Sequence, residues 1–114
     1  MEDEPLVKPL VDIPIQAEKA RAMLNKAMKA FVERDVEASY SVDKDDDEVD
    51  LLYDQVYREL LVFMLQNPQT IQRATYLLWA AHDLERIADR ATNIAERVIF
   101  LVTGKMVESN KSTE

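Results

Sequence analysis

Apolar residues recur at intervals of three and four through most of the chain, the spacing of helices that bury one face. Asp12-Ile13-Pro14 has the form of an N-cap followed by a first-turn proline. Beyond it Ala17, Ala20, Leu24, Ala27, Phe31 and Ala38 keep helical spacing and predict a first helix from about Pro14 to about Ser41. Val49, Leu52, Val56, Leu60 and Phe63 predict a second helix that begins inside the acidic run Asp43–Asp50 and ends at Asn67-Pro68. The third helix presents Leu77, Leu78, Ala81, Leu84, Ala88, Ala91, Ala95, Val98 and Val102, and Gly104 is its expected C′ residue.

Three amphipathic helices on short connections predict an all-α, antiparallel, up-down-up three-helix bundle spanning residues 14–107. Residues 1–13, with Pro5 and Pro9 and no helical period, read as an extended lead-in or linker; residues 108–114 read as a disordered polar tail. A single glycine and four prolines among 114 residues make a turn-rich sheet protein hard to build and support the helical reading. Cysteine is absent, which removes disulfides and thiolate chemistry. The formal charge of -8 disfavours direct binding to nucleic acid. No apolar run approaches the ~18 residues of a membrane span, and Met1-Glu2-Asp3-Glu4 lacks the basic start of a signal peptide. A cytoplasmic location is expected, with at most peripheral membrane contact.

The candidate chemistry is carboxylate chemistry. Asp46, Asp50 and Asp54 recur at steps of four on helix two, and Glu85, Asp89 and Asn93 do so on helix three. Each set lies along one face. Like charges four apart destabilise a helix by roughly 0.2–0.5 kcal/mol per pair, so a compensating hard cation is one explanation. The plainer alternative makes Asp45 and Glu48 a capping box, residues 43–50 a helix start with a solvated loop, and Asp54 a surface partner of Arg58. His82, the single histidine, is read as half-exposed and bonded to a carboxylate; Tyr76 and Trp79 are read as packing residues. Nothing indicates a catalytic triad, a phosphate loop or a thiol site.

The stretch Asp46–Leu61, DDEVDLLYDQVYRELL, followed by Leu84–Val98, LERIADRATNIAERV, and then FLVTG, resembles the PhoU family of phosphate-uptake regulators. The resemblance runs from about Val11 to Gly104. It implies one three-helix repeat of a protein that ordinarily has two, and the ending looks more like the second repeat. It also implies iron, zinc or manganese, or magnesium, held by Asp46, Asp50, Glu85 and Asp89, with Asp47 as the alternative to Asp46 and Asn93 in its usual place; Asp54 and His82 are supplementary candidates from their position on the helix faces, and His82 is not carried over as a family ligand. The implied function is negative regulation of phosphate uptake without catalysis: a cytoplasmic adaptor between the ATPase subunit of the phosphate ABC transporter and the sensor histidine kinase. A lone repeat is expected to form a homodimer. Two readings compete with it, a histidine phosphotransfer domain using His82 and a metal-free helical interaction module.

Overall fold

The computed structural model describes residues 4–104, with side chains from Pro9 onward. Helix α1 spans Glu4–Glu33, α2 spans Val36–Gln66, and α3 spans Ile71–Thr103 after a single 3-10 turn at Pro68–Thr70. Each helix packs against both others, and the described residues form an antiparallel bundle with principal extents of 53 × 24 × 17 Å.

Two expected boundaries are corrected. The first helix ends at Glu33, not near Ser41, and the acidic run lies inside α2 instead of opening it. Arg34, at φ 57°, takes the left-handed conformation, and the Asp35 amide donates to the Ala30 carbonyl at 2.9 Å, closing α1 in a Schellman-type turn. Asp35 then caps α2, its carboxylate accepting from the Ala38 amide at 3.1 Å. Two residues therefore do the work of a glycine stop and a loop, and neither carries the usual glycine signal. Arg34→Gly is expected to raise stability by about 0.5–1 kcal/mol by relieving the left-handed side chain. Asp35→Ala should lower it by about 0.5–2 kcal/mol, both read as shifts in urea midpoint.

The lead-in is corrected as well: from Glu4 to Ile13 the backbone is helical and continuous with the rest of α1, with Pro9 and Pro14 inside the helix. Pro9 is fully buried, so packing of this turn against the bundle outweighs the lost backbone hydrogen bond. The predicted tail 108–114 lies outside the described residues.

The inner face of α3 carries Ala74, Ala81, Ala88 and Ala95 at steps of seven, all fully buried. These small side chains allow the helix axes to approach closely. At the end near the α1–α2 turn, Ala88, Ala91 and Ala95 pack with Met23, Ala27, Val42 and Val49; at the other, Ala74 and Ala81 pack with Val56, Leu60 and Phe63. Gln16 is completely buried and donates to the Ala81 carbonyl at 3.0 Å. Gly104 stops α3 in the left-handed conformation, its amide bonded to the Phe100 carbonyl at 2.8 Å. Phe31 and Val102, expected in the core, are exposed.

Candidate functional site

Because the acidic run is helical, its side chains separate by face. Asp45 turns toward α1 and accepts from Lys26 at 2.7 Å, and Glu48 accepts from Lys19 at 3.1 Å. The capping-box reading of these two residues is therefore replaced by ion pairs that tie α1 to α2. Asp47 is exposed. Asp46 alone is buried, 5% exposed, and it occupies a position of the inward stripe Ser39, Val42, Asp46, Val49, Val56, Leu60 and Phe63 where an apolar residue would ordinarily sit.

The carboxylates of α2 and α3 meet along the seam between those helices. Asp43 senses the charge of Glu96 at one end, and Tyr53 senses Glu85 further along. One step forward on α2 is one step back on α3, so the antiparallel register places Asp50 level with Asp89. Asp50, Glu85 and Asp89 are all half-buried, and Asp54 is exposed. From Asp43 to Asp54 the seam runs roughly 16 Å at 1.5 Å per residue.

Burial and neighbouring negative charge act together on Asp43. Burial, then the charges of Glu96, Asp46 and Asp47, push the Asp43 carboxyl up from the ordinary 3.8 to about 6. The folded chain thus holds this proton more tightly than the unfolded chain. The stability it contributes is present in full below about pH 4 and is lost as pH rises through about 6. Asp43→Asn is expected to stabilise the fold by about 1 kcal/mol at about pH 8, solvent screening at this half-exposed site reducing the full linkage value, and by almost nothing at about pH 4. Thermal melts at the two pH values check it.

Among the described residues, no three His, Asp or Glu side chains come together in a geometry that holds a metal ion. The register brings Asp46 and Asp50 to the same seam as Glu85 and Asp89, while two supplementary candidates lie elsewhere in character. Asn93 is exposed and lines an apolar groove of about 430 Å³ between α1 and α3 with Met28, Phe31, Val32, Ile94 and Arg97. His82 is exposed and meets rings instead of the expected carboxylate, lying 6.0 Å from Trp79 and 6.4 Å from Tyr53. The expectation that Tyr76 and Trp79 pack inside is corrected, since both are largely exposed. Their positions follow from the turn at Asn67–Thr70, which sets the phase of α3. Glu96, seven residues beyond Asp89 on the same face, also reaches the seam, where its charge acts on Asp43.

The PhoU domain family profile matches residues 13–98. The chain belongs to the PhoU family. It is 43% identical over 103 residues to the phosphate-specific transport system accessory protein PhoU homolog 2 of Thermotoga maritima, covering 90% of this chain and 44% of that protein. A PhoU homolog of Clostridium acetobutylicum is 40% identical over 92 residues, covering 81% and 42% respectively. One of Rhizobium meliloti is 36% identical over 95 residues, covering 83% and 40%. The chain thus spans less than half the length of these PhoU relatives. No helix among the described residues is long and apolar enough to cross a membrane.

Proposed function

We propose that this PhoU-family chain serves as an accessory regulator of phosphate transport. In this reading it is a cytoplasmic, non-catalytic adaptor that contacts the ATPase subunit of the phosphate transporter and the sensor histidine kinase, and it lowers phosphate uptake. The observation that carries it is the family match over residues 13–98, together with relatives whose names tie them to phosphate-specific transport. That match favours the transport reading over a phosphotransfer carrier built on His82. An adaptor of this kind acts by binding one state of its partner more tightly than another, and couplings of roughly 1–3 kcal/mol suffice. The purified ATPase subunit should be retained by the immobilised chain, and the complex should respond to the nucleotide state of the subunit. Failure of the subunit to bind in every nucleotide state would remove the adaptor role.

The reading includes a metal-binding surface made of Asp46, Asp50, Glu85 and Asp89. Support comes from an all-carboxylate donor set suited to hard cations and from the antiparallel register that places these acids on one seam, where burial, then neighbouring carboxylates, push Asp43 upward. A cation would neutralise the seam and draw its half-buried side chains together by rotation about their χ angles; iron, zinc, manganese or magnesium are the candidate ions. Elemental analysis of untagged protein and of Asp50→Asn/Asp89→Asn tests this surface: near-stoichiometric metal should be present in the parent and lost in the double variant. The reading also includes pairing of two copies into a homodimer, for which mass in solution is the check.

A further inference from the structure

Beyond the carboxylates, the α2–α3 seam ends in a group of rings held in place without being buried. Trp79 is 60% exposed and Tyr57 40% exposed. The Trp79 and His82 rings meet edge to face at 6.0 Å, His82 and Tyr53 lie 6.4 Å apart, and Tyr53 stacks with Tyr57 at 6.1 Å. Two rings come from each helix, so the bundle itself fixes their spacing. Carboxylates reach the same place: partial burial, then the charge of Glu85, with smaller contributions from Tyr57 and Asp54, pushes the Tyr53 hydroxyl upward.

Ring faces carry negative potential and attract cations placed over them. A guanidinium suits such a place better than an ammonium, because it is flat, weakly hydrated and able to stack on a ring while its N–H fork meets a carboxylate. We propose that the face formed by Tyr53, Tyr57, Trp79 and His82 docks an arginine-bearing basic segment of a partner protein, one arginine stacking on the exposed rings with its guanidinium toward Glu85 and Asp54. Charge complementarity selects this occupant. The chain has a formal charge of -8, so a second copy would bring the same excess of carboxylates to this seam. Anionic lipid or nucleic acid is repelled for the same reason.

Trp79 is the single tryptophan, so intrinsic fluorescence reports on this face directly. The full chain, in chelator-containing buffer, is titrated with a short peptide of alternating arginine and serine, and with its lysine and glutamate counterparts. The arginine peptide should change Trp79 emission saturably, the lysine peptide should bind several-fold more weakly, and the glutamate peptide should not bind. Tyr57→Ala and His82→Ala, at exposed positions, should each weaken arginine binding several-fold while the melting temperature stays close to that of the parent. No saturable change would overturn the proposal, as would equal binding of arginine and lysine peptides that survives both substitutions, the mark of diffuse charge attraction. Emission that changes with protein concentration alone would assign the face to a second copy and also overturn it. The titration is independent of binding to the transporter subunit, so either can fail while the other succeeds.

Discussion

Addition of Mn²⁺, Zn²⁺ or Fe³⁺ is expected to raise the melting temperature of the parent chain and to leave Asp50→Asn/Asp89→Asn unchanged. A ligand that binds only the folded state stabilises it by mass action, about 2.7 kcal/mol at a hundredfold excess over Kd. For a domain of this size each kcal/mol moves the midpoint by about 4 °C, so the shift is on the order of 10 °C. The seam is the reason to expect it: Asp50 and Asp89 stand level on facing helices, and burial, then the charges of Glu96, Asp46 and Asp47, raise the Asp43 carboxyl to about 6. A flat response of the parent to all three ions would end the metal proposal.

Leu60→Ala is expected to destabilise the bundle by about 3–5 kcal/mol, the upper part of the range for a buried leucine truncated to alanine. Leu60 is fully buried and belongs to the cluster with Val56, Phe63, Ala74 and Ala81. The alanine methyls opposite it have no rotatable bond with which to lean into the space left behind, so the void closes only if α3 itself moves. Val102→Ala, at a position 45% exposed, should change stability by less than about 0.5 kcal/mol. Chemical denaturation of both variants provides the comparison.

Asp46 illustrates how far local pattern can be followed. Its step of four to Asp50 is visible in the sequence, and so is the acid-rich surrounding that resembles a helix start. Only the position of the α1–α2 turn determines which reading holds. With the turn at Arg34-Asp35, residues 43–50 fall in the second to fourth turns of α2, Asp46 rotates inward, and Asp45 and Glu48 become partners of Lys26 and Lys19. A turn made by a left-handed arginine and one aspartate carries almost no compositional signal, because the preference for glycine there is a matter of about 1 kcal/mol that a favourable cap can offset. Trp79 is a second case. A large ring near the start of an amphipathic helix reads as core, yet its phase on α3 leaves it on the surface, where it meets His82.

The period of three and four, the near absence of glycine, and the Asn67-Pro68 and Gly104 stops were enough to determine three helices and their antiparallel order, because these are properties of local backbone preference and of one buried face per helix. The sequence also determined that acids recur at steps of four on two helices. The tertiary structure alone decided which acids share a seam, which ones pair with α1, and which rings stand exposed beside them. Those outcomes depend on the rotational phase and register of one helix against another, quantities set by packing across the whole bundle and by a two-residue turn, not by any window of neighbouring residues.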